Sequence, residues 1–118
     1  MEIKKFDIFM VNLNPQKGSA QSGVRPCVVI QSNVFNKYSS TVIVVPLTTS
    51  IKKIFPSEFI IYPSKENGLK DDSRFLGSQL ITVDKKFFLK KSGFLEEKYF
   101  IELQESIKIA LDFDDMFF

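Results

Sequence analysis

Apolar positions fall in short runs through the first two-thirds of the chain, and their period lengthens only at the end. Phe6 to Leu13 mixes β-branched and aromatic residues with partial alternation, which predicts a strand stopped by Asn14-Pro15. Residues 16–24, rich in Gly, Ser and Gln, predict an exposed loop. Pro26 to Gln31 is a nearly continuous apolar run of strand length, with Pro26 expected at its very start because it has no N–H. Residues 32–40 read as a second polar loop, and Thr41 to Pro46 as another buried strand. After a basic connection at Lys52 and Lys53, Ser57 to Tyr62 predicts a strand and Asn67-Gly68 a turn. Ser73 to Val83 reads as an extended segment broken at Gly77. Asp84 can cap a short helical turn that continues through Phe88 and stops at Gly93.

From Leu95 the spacing changes. Leu95, Tyr99, Phe100, Leu103, Ile107, Ala110 and Leu111 recur three and four apart and mark one face of a helix. About five strands followed by one helix predict an α+β, mainly β fold. The expected form is a small, strongly curved antiparallel sheet or partly open barrel carrying a C-terminal α-helix. At 118 residues the chain is expected to be a single domain over 1–118, without metal or disulfide staples.

Charge adds an asymmetry. Residues 1–91 hold fourteen Lys/Arg against seven Asp/Glu, whereas residues 92–118 hold two against seven. A basic body suggests a polyanionic partner, and paired lysines among Phe and Tyr are compatible with a single-stranded nucleic-acid track. The acidic, aromatic tail Asp112–Phe118 is expected to dock its phenylalanines against a groove or a partner. No apolar run nears the roughly eighteen residues of a spanning helix. The N-terminus has no signal-peptide pattern, and the one cysteine, Cys27, sits in an apolar strand as a core residue. A reducing cytoplasm is the expected setting, with no membrane.

The chain has no histidine. That removes the common zinc sites, Ser-His-Asp and Cys-His pairs, and any nuclease built on two imidazoles. Arginine is scarce as well: Arg25 and Arg74 stand against fourteen lysines. Arg25 ends the 16–24 loop, and Thr48 and Thr49 follow the third strand. The residues alone leave two readings of Arg25. It is either a guanidinium facing a phosphate, whose oxygens its planar fork matches, or a structural arginine paired with Asp7 or Asp84.

Several segments together resemble the MazF/PemK-type toxins of bacterial toxin–antitoxin systems. They are Asp7-Ile8 with Val11 to Pro15, Gly18 to Gln31 with its Gly-Ser-Ala-Gln-Ser-Gly-Val-Arg-Pro run, Asn36 to Thr48, Asp72-Ser73, and Gln79 to Lys85. The resemblance implies a homodimeric endoribonuclease that cuts single-stranded RNA without a metal or other cofactor and is neutralised by a cognate antitoxin. It assigns catalysis to Arg25 and Thr48, and RNA contacts to Ser19, Gln21, Thr49, Ser78 and Gln79. The substrate 2′-hydroxyl would supply the nucleophile, which suits a chain without histidine. Ala20 stands where many of these toxins have glutamate, Ile81 replaces an arginine, Ser78 an acid, and Phe6 the glycine before Asp7. A catalytically weak RNA- or antitoxin-binding relative is therefore an alternative, as is a gyrase-poisoning toxin of the same architecture.

Overall fold

A computed structural model describes residues 1–14, 23–51 and 54–113. Seven strands among them form one antiparallel sheet: β1 (Asp7–Asn12), β2 (Val24–Val29), β3 (Thr41–Thr48), β4 (Glu58–Ile61), β5 (Ser73–Leu76), β6 (Ile81–Asp84) and β7 (Phe88–Phe94). Their order is β4-β5-β3-β2-β1-β7, with β6 also on β3. The sheet is open and strongly curved, in agreement with the expected class.

Curvature has a local cause. Ile8 pairs with Gly93 but Phe9 with Lys91, and Met10 pairs with Lys90 but Val11 with Phe88. Each step leaves an extra residue in β7, and such bulges bend and twist a strand. Phe9, Val11 and Leu13 of β1 pack on one face with Cys27, Val29, Val42, Val44, Val83 and Phe88. Ile8, Val28, Val45, Leu47, Phe59, Ile61 and Phe75 cover the opposite face, where Leu95, Tyr99 and Leu103 join them. Both faces of the central strands are therefore buried, which explains their unbroken apolar runs.

The C-terminal helix, α2 (Phe100–Leu111), follows one turn of 3-10 helix at Glu97–Tyr99. Leu95, Tyr99, Leu103 and Ser106 are its buried approach and face, whereas Leu111 is exposed. Tyr99 also holds β4, its hydroxyl accepting from the Tyr62 N–H at 3.0 Å. Ser106 Oγ donates to the Ser57 carbonyl at 2.5 Å, and the Gly77 N–H donates to the same carbonyl at 3.1 Å. A Cβ on Gly77 would overlap both Ser106 Oγ and that carbonyl.

Three expectations need correction. Residues 33–38 are a short helix, α1 (Asn33–Tyr38), within the predicted loop. Polar bonds hold it: buried Asn36 donates to the Gln31 carbonyl at 2.9 Å, and Lys85 Nζ donates to the Asn36 carbonyl at 2.6 Å. Second, the turn capped by Asp84, whose carboxylate accepts from the Lys86 N–H at 2.9 Å, ends at Phe87. Residues 88–94 are strand β7, not a continuation of that turn. Third, Pro26 is the third residue of β2, opposite Met10. Pairing of β2 with β3 begins only at Cys27, so Pro26 lies where β2 has one neighbour and its missing N–H breaks no second ladder. The predicted turn at Asn67-Gly68 is present. Buried Asn67 accepts from the Ser64 and Leu69 N–H groups, and Gly68 has a left-handed φ of 67°.

Candidate active site

Register places the two residues assigned to catalysis. Cys27 of β2 pairs with Pro46 of β3. One more pleat along the same register, two residues on each strand, brings Arg25 opposite Thr48. Residues two apart on a strand share a face, so Arg25 and Thr48 lie on the face of Cys27 and Val44. They stand just beyond the last residues at which β2 and β3 pair with each other, Arg25 still pairing with Val11 of β1 and Thr48 with Arg74 of β5.

Arg25 is half-buried, and its backbone carbonyl accepts from Cys27 Sγ at 3.6 Å. Burial pushes the Cys27 thiol up to about 12, against a smaller lowering by the Arg25 guanidinium. That thiol stays protonated in any physiological medium, so Cys27 is a core residue and not a nucleophile. The two carboxylates considered as structural partners of Arg25 lie elsewhere. Asp7 begins β1, whereas Arg25 pairs with Val11 near its other end. Asp7 instead accepts from the Lys4 N–H at 2.9 Å and meets Lys91 Nζ at 3.2 Å. Asp84 pairs with Thr41, at the opposite end of β3 from Thr48.

Thr48 is only 8% exposed, and its Oγ1 accepts from the Ser50 N–H at 3.3 Å. Accepting that bond fixes the end of β3 and leaves the hydroxyl proton to be donated elsewhere. Thr49 points the other way. With Met10, Pro26, Lys70, Ser73 and Lys90 it lines a cavity of about 290 Å³ on the opposite face. The strand ends thus carry a guanidinium and a hydroxyl on one side and a lysine-rimmed hollow on the other.

Ser78 is exposed and Gln79 half-buried, in the link that carries the chain from β5 to β6 alongside β3. The Gln79 N–H donates to the Leu76 carbonyl at 2.8 Å, closing that link. Ser19 and Gln21, like Ala20, lie outside the described residues. So do Lys52, Lys53 and the last five residues of the tail. Ile81 pairs with Val44 and packs against the Val42–Val44 core. Where the toxin pattern has an arginine, this chain has extended its core. Among the described residues no three His, Cys, Asp or Glu side chains form a group that could hold a metal ion, and no helix is long and apolar enough to cross a membrane.

Position 74 was not singled out as a site by sequence reasoning. Arg74 of β5 pairs with Thr48 on one side and Ile60 on the other. Its Nε is 3.5 Å from Glu58 Oε1, with 15% of the arginine side chain and 6% of the glutamate exposed. Both arginines of the chain therefore stand on the face of Thr48, one on each side of it. The signal available in the sequence was their scarcity among lysines.

Comparison with known proteins bears on this arrangement. The Endoribonuclease MazF of Staphylococcus epidermidis is 39% identical over 109 residues, covering 92% of this chain and 91% of that protein. The crystal structure of MazF from Deinococcus radiodurans superposes with a TM-score of 0.80 at 18% identity, over 95% of this chain and 98% of that one. A mycobacterial endoribonuclease in complex with its cognate antitoxin matches with a TM-score of 0.77 at 18% identity, over 93% and 95% of the two chains. Residues 4–111 match the family described as PemK-like, MazF-like toxin of type II toxin–antitoxin system, and the chain belongs to that family.

Proposed function

We propose that the protein is an endoribonuclease toxin that cuts single-stranded RNA, chiefly mRNA, at short sequences. The 2′-oxygen bonds to the adjacent phosphorus and the bond from phosphorus to the 5′-oxygen breaks. The 2′ proton passes in net to the leaving 5′-oxygen. The products are a 2′,3′-cyclic phosphate and a 5′-hydroxyl. The observation that supports this reading is the β2–β3 register, which, continued one pleat beyond Cys27 and Pro46, brings Arg25 opposite Thr48 in a chain of this family.

Arg25 acts electrostatically. A guanidinium is a poor proton shuttle at its very high pKa, but its fork suits the charge that builds on the phosphoryl oxygens. Thr48 donates its hydroxyl to the same group and positions it. Ser19, Gln21, Ser78 and Gln79 contact the RNA around that point, and Thr49 contacts it across the strand ends. No metal takes part. The toxin works in the cytoplasm as a homodimer, and a cognate antitoxin silences it by covering the RNA site. The existence of such an antitoxin is in keeping with the family, described as toxins of type II toxin–antitoxin systems, and with a mycobacterial endoribonuclease of the same fold that is in complex with its own cognate antitoxin.

Incubation of the purified protein with a long, varied single-stranded RNA in EDTA tests the reading. Cleavage at recurrent short sequences, with 5′-hydroxyl ends, is expected, and Arg25→Ala should lower the rate roughly 10²- to 10³-fold. An intact RNA after incubation with the wild type sinks the proposal. Products that form only when a divalent metal is restored would refute the metal-free chemistry.

A further inference from the structure

We propose that Arg74 is a second phosphate-binding residue of the active site and that Glu58 is the positioning residue that orients it. The inference rests on the endoribonuclease reading above and extends it to residues outside the catalytic pair assigned by resemblance.

Three observations converge. First, Thr48 pairs with Arg74 across β3 and β5, while the β2–β3 register carries Arg25 to the other side of Thr48. Directly paired residues share a face, so Arg25, Thr48 and Arg74 form a row across three strands. Neighbouring strands lie roughly 4.8 Å apart, which is within the span of consecutive groups along a phosphodiester backbone approached by two long arginine side chains.

Second, Arg74 is largely covered and lies beside a buried carboxylate. Its Nε faces Glu58 Oε1 at 3.5 Å, and the same oxygen accepts from the Phe55 N–H at 3.0 Å. The carboxylate is thereby fixed in place by the backbone, and it meets the guanidinium Nε as an ion pair at 3.5 Å rather than through a hydrogen bond. A mostly covered guanidinium loses little side-chain freedom when it meets an anion.

Third, the toxin pattern's arginine is missing at Ile81, which is on the same side of β3 and the same face, opposite Val44. Arg74 puts a guanidinium on that same side and face of β3, about 13 Å from the Ile81 position, four residues at roughly 3.3 Å each, level with Thr48. Two guanidinium groups flanking one hydroxyl can share the charge of a phosphoryl group in flight, or hold that phosphate and its neighbour. The site then carries a guanidinium on each side of Thr48.

The chain's two arginines allow a test without any variant at Arg74. A 15N spectrum of the wild type contains two Arg Nε–H signals, and Arg25→Lys assigns them. A single-stranded oligonucleotide made uncleavable by 2′-deoxy substitution at the mapped cut site is then added. Both signals are expected to shift; a shift of the Arg25 signal alone overturns the proposal and leaves the endoribonuclease reading standing. If neither moves and no RNA is cut, the endoribonuclease reading itself has failed.

Variants then separate positioning from mere support of the fold. Arg74→Met should lower the cleavage rate at saturating RNA roughly hundredfold. It should also reduce the slope of log affinity for the uncleavable oligonucleotide against log salt by about 0.7, the value for one phosphate contact on a single strand. Arg74→Lys keeps the charge, so its slope should be unchanged while its rate falls roughly tenfold for want of the fork. Glu58→Gln should lower the rate with the slope retained. Wild-type rates in folded Arg74→Lys, or an unchanged slope in folded Arg74→Met, refute the assignment.

Discussion

Phe6 holds a backbone conformation that its side chain disfavours. Its φ is 75°, in the left-handed region, where an L-residue with a Cβ is about 1–2 kcal/mol worse off than glycine. Two backbone bonds keep it there: its N–H donates to the Val29 carbonyl at 2.7 Å, and its carbonyl accepts from the Leu95 N–H at 2.8 Å. The ring offsets the cost by stacking on Phe100, with centroids 3.8 Å apart and planes inclined by 15°. That contact also ties the start of β1 to the first turn of α2. Removing the ring forfeits about 0.5–1.5 kcal/mol of aromatic pairing, and about 1 kcal/mol more for a half-buried side chain. Phe6→Ala keeps the strain and loses the stack, so it should destabilise by about 2 kcal/mol. Phe6→Gly loses the stack as well but relieves the strain. Against that gain stands the greater freedom of glycine in the unfolded chain, about 0.5–1 kcal/mol. Glycine should therefore be the more stable of the two variants by about 1 kcal/mol, the reverse of the order at most positions. For a chain of this length that is a gap of about 4 °C in Tm. Urea unfolding followed by circular dichroism, at one fixed protein concentration, measures it. An alanine variant as stable as the glycine variant, or more stable, would refute a strained left-handed Phe6.

Two other positions yield equally definite expectations. The Cys27 thiol is held up to about 12 by burial, so the folded state keeps a proton that the unfolded chain loses above its ordinary value near 9. Stability should then fall as pH rises from about 9 towards 12, by up to about 1.4 kcal/mol per unit. Cys27→Ala should show a shallower alkaline decline in parallel urea titrations; identical slopes would contradict a thiol kept protonated by burial. Gly77→Ala places a methyl group against Ser106 Oγ and the Ser57 carbonyl. It should cost about 1–3 kcal/mol and speed amide exchange through Phe100–Leu111, and a variant within 0.5 kcal/mol of wild type would count against that packing.

The central strands and the helix were legible because their burial is written as uninterrupted apolar runs and as a period near 3.6. Strand β7 was not, since its Leu89-Lys-Lys-Ser stretch faces water at a sheet edge, where lysines are placed for other reasons. Helix α1 was hidden as well: Val34, Phe35 and Tyr38 point outwards and a buried asparagine does the holding. At the site, the loop and strand-end residues could be named from motifs, but their faces could not. Register decided that Thr48 shares a face with Arg25 and that Thr49 does not. Arg74 was out of reach for the same reason, because nothing along the chain says that β5 takes over from β6 on the flank of β3. Asp7 and Asp84 looked available to Arg25 in sequence, yet the ladders carry both to the far ends of their strands.

The row of Arg25, Thr48 and Arg74 draws one residue from each of three strands, separated by more than twenty positions along the chain. No local fragment can assemble it. Such long-range pairings form late and together, since each loop must close before its contacts repay the closure. A chain still emerging from the ribosome would hold these groups as separate side chains, not yet brought into one row. Nuclease action would then arise in one cooperative step, after β5 has left the exit tunnel and joined β3.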